Sequence, residues 1–209
     1  MRRERAADAF VHLLGLSLAV VGATVAVTFS ALLSRGEVVA GVVIYAALLI
    51  FGLAASAIYH MVPQSRLKAV LRRIDHAAIF LKIAGTYTPI VVLVGSGFAY
   101  SLLGLVWFVA LGGAIMKLAF WRVPGRIDLM LYLGLGWAAV FLLPLVATTL
   151  PTTATVLIVA GGLMYSAGVI VFANWDRLRY SGALWHGIVL GASSCFFAAI
   201  MLAVFGSHA

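Results

Sequence analysis

Apolar residues run almost unbroken along this chain, and the interruptions fall at intervals of about one bilayer thickness. Crossing roughly 30 Å of hydrocarbon at 1.5 Å per residue takes roughly 17–25 residues. Seven runs of that length are read at about 9–32, 38–61, 75–95, 99–120, 127–149, 152–174 and 183–205. The breaks between them carry turn and charge signals: Ser34-Arg35-Gly36-Glu37, Pro63-Gln64-Ser65-Arg66, Gly95-Ser96-Gly97, Val123-Pro124-Gly125-Arg126, Pro151 and Asp176-Arg177. Pro89 in the third run and Pro144 in the fifth fall near the expected outer ends, where a kink is tolerated. No stretch is long or polar enough to form a separate soluble domain. Residues 1–209 therefore predict one all-α membrane domain, a bundle of seven transmembrane helices.

Composition agrees. Apolar residues make up 65% of the chain and charged ones only 10%, whereas a soluble domain usually has about a quarter of its residues charged. Lipid is the expected solvent, and membrane lipids are the expected partners. The formal net charge of +8 could be mistaken for a nucleic-acid footprint, but its placement argues for a membrane origin and no nucleic acid. Arg2, Arg3 and Arg5 precede span one, and Arg66, Lys68, Arg72 and Arg73 follow span two. Arg122 and Arg126 lie in the fourth connection, and Arg177 and Arg179 in the sixth. The alternate connections hold only Arg35, beside Glu37. The positive-inside rule then puts the N-terminus in the cytoplasm and the C-terminus outside. Arg2-Arg3-Glu4-Arg5 looks like the start of a signal peptide, but the apolar stretch after it is too long and no soluble domain follows, so a retained first helix is expected. The single cysteine, Cys195, excludes an internal disulfide framework.

An ionisable side chain inside a span is costly in lipid and marks function by default. Topology sets four histidines at one depth: His12 opens span one, His60 closes span two, His76 opens span three and His186 opens span seven. All four fall toward the cytoplasmic end, whereas His208 falls on the other side. Asp75 joins the layer, and Ser56 lies one turn from His60 on the same helix face. Neutral imidazoles and a carboxylate at one depth suit a borderline-soft divalent ion, zinc first. The layer has no cysteine, and three or fewer histidines plus water match an open catalytic site better than a closed structural one. Asp75 would hold or accept the proton of that water. The plainer reading makes the histidines interfacial and Asp75 the N-cap of span three. His12, with no second polar residue near it on its helix, is the weakest ligand of the set.

Two lysines need separate accounts. Lys82 lies seven residues past Asp75, on the same side and about two turns deeper. It must snorkel, pair, or line a water-filled cavity. Lys117, near the end of span four, is expected to snorkel. Small-residue faces at Gly187 and Gly191, and at Gly162 and Ser166, predict helix packing. Trp121, Trp175 and Trp185 fit a boundary belt, and Phe196-Phe197 fits lipid or core.

The run from Arg73 through Asp75 and His76 to Phe80, with Ala84-Gly85-Thr86-Tyr87-Thr88-Pro89 after it, resembles the third-span signature of bacterial hemolysin III proteins. These belong with the progestin and adipoQ receptors. Ser56-Ala57-Ile58-Tyr59-His60, the run Gly161 to Ile170, and Trp185-His186 resemble further segments of that family. The resemblance covers essentially the whole chain and implies a bacterial cytoplasmic (inner) membrane location. It also implies a zinc ion near the cytoplasmic face, held by one histidine of span two and a His-x-x-x-His pair of span seven. An aspartate at the start of span three contacts the water on the zinc. On this chain those positions are His60, His186 and Asp75, with Ser56 one turn from His60. The other span-seven position is Gly182, which cannot bind a metal. Lys82 replaces a residue that is usually apolar.

Three arrangements follow: a site using Asp75 as a direct ligand beside His60 and His186, a site rebuilt with His76, or no zinc. Asp75 and His76 diverge by about 100° around their helix and cannot both face one ion without distortion. The resemblance implies a zinc-dependent hydrolase acting on a lipid amide or ester, with Asp75 and Ser56 in the chemistry. The alternative is a non-enzymatic role in membrane homeostasis or sensing, with cytolysis only as a family label. A proton or ion transporter using Lys82 and Asp75 is the third reading. A retinal protein is excluded because span seven has no lysine.

Overall fold

The computed structural model describes residues 2–63, 66–119 and 125–206. It is all-helical over these residues. The helices are α1 (Arg2–Leu33), α2 (Gly36–Met61), α3 (Leu67–Val94), α4 (Gly97–Ala119), α5 (Gly125–Trp137), α6 (Leu143–Thr149), α7 (Thr152–Ala173) and α8 (Ser181–Gly206). Six of them are long and apolar enough to cross a membrane singly. The fifth crossing is broken: α5 and α6 are bent by 49° about a 3-10 turn at Ala138–Phe141. Counted together they make the seventh span, as the hydrophobic pattern predicts.

Local chemistry accounts for the boundaries. α3 ends on Gly95, whose φ of 67° is left-handed and suits a residue without a Cβ. One residue later the Ser96 hydroxyl accepts the Ala99 amide and starts α4. Pro144 has no N–H to return to the preceding turn, and the fifth span breaks just before it. Pro89, by contrast, lies inside an unbroken α3. There its backbone is approached by Gly41 of α2, where a Cβ would sit 3.2 Å from the Pro89 Cα.

α3 begins eight residues before the expected start of the third span. Lys68 ties this early start to α2: its ammonium donates to the carbonyls of Tyr59 and Val62 at 2.7 and 2.9 Å, among those left open by the end of α2. Asp75 therefore sits inside α3, and its reading as an N-cap is overturned.

Helices α1, α2, α3 and α4 pack in sequence, α7 packs on α8, and α8 closes back on α1. The broken α5–α6 span touches α3, α4 and α7 more lightly. Tyr87 on α3 holds the break, its hydroxyl shared between the carbonyls of Leu135 and Gly136. Close approaches run through Gly113 against Phe80, Gly85 against Leu48, Gly161 against Phe196 and Gly191 against Met164. Gly187 and Gly162, expected to pack, face open space. Large apolar side chains such as Val21, Phe108 and Ile170 point outward, as lipid contact requires.

Lys117 corrects a second expectation. It is buried, not snorkelling, and forms an ion pair with the buried Asp128 of α5. Burying a charge is tolerable only when it is paired, and this pair ties the lightly held fifth span to α4. Trp121 and His208 lie outside the described residues.

Candidate metal centre

Helices α1, α2 and α8 converge at the end of the bundle where α1 begins. Asp8 and His12 stand four residues apart on α1 and so share one helix face. His60 lies in the last turn of α2, and His186 in the second turn of α8. One ligand atom from each of Asp8, His12, His60 and His186 lies within 4.8 Å of the others. The ring centroids are 4.1 Å apart for His12 and His186, 4.5 Å for His60 and His186, and 5.1 Å for His12 and His60.

The Asp8 carboxylate bridges this group. One oxygen accepts from His186 Nδ1 at 2.7 Å, and the other lies 3.5 Å from His60 Nδ1. His12 is 4% exposed, and its Nε2 is buried without a hydrogen-bond partner, 3.8 Å from Asp8 Oδ1. A buried nitrogen left so costs free energy unless something else ligates it. Three imidazoles with a carboxylate are also a donor set suited to zinc and its neighbours among divalent ions. On both counts the residues fit a metal ion.

The resemblance points to His60 and His186, and the structure brings them together. It does not bring Asp75 or His76 into the same set of ligand atoms. Asp75 stands beside it, with the Ser56 hydroxyl in hydrogen-bonding reach and His186 near enough to interact electrostatically. His76 faces another way, among Arg72, Lys117 and Asp128, and its carbonyl accepts the Tyr132 hydroxyl at 2.9 Å. Adjacent helical residues diverge by about 100°, so this separation is geometric.

His12 enters the cluster, and the ground for ranking it weakest fails: Asp8 is the second polar residue on its helix. Asp8 itself was missed because the first span was started at residue 9, which left this carboxylate just outside the membrane. The available signal was the Asp8–His12 spacing of four. Gly182 stands where the resemblance implies a histidine, and Asp8 lies against it. A Cβ built there would lie 3.2 Å from Asp8 Oδ1, so the carboxylate occupies the space beside that position.

The cluster forms one end of a cavity of about 650 Å³. Ser56, Asp75 and Lys82 line its middle, and Ile90, Val146 and Ile158 its far end. Some lining residues are themselves exposed: Trp137 and Val140 on the fifth span, and Val159, Leu163 and Phe172 on α7. The cavity is therefore open sideways between those elements, toward lipid. Trp185, expected in a boundary belt, and Phe196, expected in lipid or core, both face it.

The sequence comparisons agree with one another. The model of a family described as Haemolysin-III related matches residues 3–197. Hemolysin-3 of Bacillus cereus is 28% identical over 203 residues, covering 97% of this chain and 92% of that protein. The Hemolysin-3 homolog of Bacillus subtilis (strain 168) is 29% identical over 201 residues, covering 95% and 93%. Monocyte to macrophage differentiation factor of Homo sapiens is 29% identical over 210 residues, covering 94% of this chain and 83% of that one. No solved structure matches the chain.

Proposed function

The chain belongs to the haemolysin-III-related family, and from that premise we propose that it is a zinc-dependent hydrolase of lipid amides or esters in the bacterial inner membrane. The observation that carries this reading is the cluster of Asp8, His12, His60 and His186 at one end of an apolar cavity, with Asp75 and Ser56 beside it.

His12, His60 and His186 would hold the ion through neutral imidazole nitrogens. Asp8 is better placed as an orienting group than as a fourth ligand. It already accepts a hydrogen bond from His186 Nδ1, the carboxylate–histidine pairing that fixes tautomer and ring angle around a metal. Three protein nitrogens leave a coordination position open, which hydrolysis needs. A bound zinc ion supplies Lewis acidity and makes a water acidic enough to attack near neutral pH.

The chain's own groups do the rest. The Asp75 carboxylate takes the proton from the attacking water and returns it to the leaving amine or alcohol. The Ser56 hydroxyl donates to Asp75 or to the carbonyl oxygen of the bond to be cleaved. The apolar cavity aligns the acyl chain and keeps bulk water from the reacting groups.

Metal analysis of detergent-purified protein tests the reading. Wild type prepared with zinc and no chelator should hold about one ion per chain, as a single three-histidine site requires. His60→Ala, His186→Ala and His12→Ala should each lose it. Asp8→Asn should keep the stoichiometry but weaken affinity about 10–100-fold, the usual effect of removing an orienting partner. Metal-free wild type under these conditions would end the hydrolase reading and leave a non-enzymatic sensing role in the membrane.

A further inference from the structure

We infer that Lys82 is the recognition site for the acidic headgroup of a single-chain amphiphile, carboxylate or phosphate, held in the bundle cavity with its tail toward Ile90, Val146 and Ile158. This names a ligand class for the cavity and rests on reading that cavity as a lipid site, but not on the metal.

Lys82 could have snorkelled to the headgroups, and it does not. Its stem lies against α2, with Cδ 3.3 Å from the place a Cβ would take on Gly52. Its ammonium lies over the Tyr165 ring of α7, 5.5 Å from the centroid. The charge is thus directed across the interior, between α2, α3 and α7, and lines the cavity. A glycine at position 52 is what admits the stem.

Among the described residues no carboxylate lies within 4.0 Å of this ammonium. Asp75, on the same helix, interacts with it only at longer range and stands beside Ser56. The Tyr165 ring face offsets part of the cost of an interior cation, and Thr86 next to it spends its hydroxyl on the Lys82 carbonyl. An interior lysine in a membrane protein pairs or marks a ligand path. Here Asp75 offers only a longer-range partner, and a direct pairing group would come from the ligand. Beyond Lys82 the α3 wall holds Thr86 and Tyr87, whose hydroxyls are already bonded to backbone carbonyls, and reaches Ile90 about two turns on, which suits the tail of an amphiphile. A neutral headgroup would leave the ammonium without a direct counter-charge, so the site discriminates by charge.

The test uses full-length protein in nanodiscs of phosphatidylcholine, which adds no competing net-anionic lipid. Four probes form two matched pairs: palmitate against palmitamide, and 1-palmitoyl lysophosphatidate against 1-palmitoylglycerol. Wild type should bind at least one acid about tenfold or more tighter than its neutral twin, as a charge-assisted hydrogen bond in a desolvated site predicts. The pair showing the gap identifies carboxylate or phosphate. Lys82→Met should abolish the gap and Lys82→Arg should keep it. Equal binding of acid and neutral twins by wild type, or a gap that survives Lys82→Met, overturns the inference. Zinc is measured on the same preparations. A charge preference in metal-free protein supports the lysine site while the hydrolase reading falls, and loaded protein without the preference does the reverse.

Discussion

At the scale of single residues, Asp8 and Gly182 compete for one small volume. The carboxylate lies 3.2 Å from where a Cβ on Gly182 would stand, so a side chain at 182 presses directly on the aspartate at 8. Gly182→His alone should therefore displace Asp8 and disturb its bond to His186, lowering zinc affinity despite adding a nitrogen. Asp8→Ala alone should weaken affinity about 10–100-fold. The double variant Asp8→Ala/Gly182→His should recover most of either loss, because groups in contact do not act additively. Competition for zinc against a chromophoric chelator measures all three, and additive losses would show that the two positions act separately. His60 and His186 were legible in sequence because a local motif surrounds each. His12 was legible only as a histidine at the same depth, and Asp8 was not: what joins both to His186 is the crossing of α1 with α8, and residues over 170 apart in the chain carry no mark of it.

At the scale of elements, the hydrophobic runs gave α2, α4 and α7 nearly to the residue, because lipid demands apolar length and the connections are short. Two features escaped that logic. The early start of α3 is tied to α2 by Lys68 reaching back to Tyr59 and Val62, a side-chain bond that no hydropathy pattern contains. The break in the fifth span depends on Pro144 combined with light packing, whereas Pro89 leaves its helix intact. Light packing also gives the Lys117–Asp128 pair its weight. Lys117→Met leaves Asp128 buried without its partner, and removing one member of such a pair costs about 3–5 kcal/mol. Thermal unfolding in a fixed detergent should show a large loss for Lys117→Met. It should show recovery to near wild type for Lys117→Met/Asp128→Leu, since an apolar pair of similar volume is often neutral or better. A double variant as unstable as the single one would mean that the charges hold something more than each other.

At the scale of the whole molecule, the orientation decides which compartment the histidine cluster serves. The cluster lies near the start of α1, the end of α2 and the start of α8, the same end as Arg2, Arg3 and Arg5, the second connection and Arg177 and Arg179. Basic residues resist translocation, so that end should face the cytoplasm. The polar groups there would then exchange protons, zinc and polar products with the cytoplasm, while acyl chains enter sideways between the fifth span and α7. Alkaline phosphatase fusions separate the two orientations, because that reporter needs an oxidising compartment to form its disulfides. Fusions after Gly95, Pro151 and Gly206 should be active, and fusions after Pro63 and Arg177 inactive. The reversed pattern would put the cluster on the outer side, where cytoplasmic zinc could not load it directly and a polar product would leave the cell. The histidine cluster would survive that result, but the cell-facing role drawn from it would not.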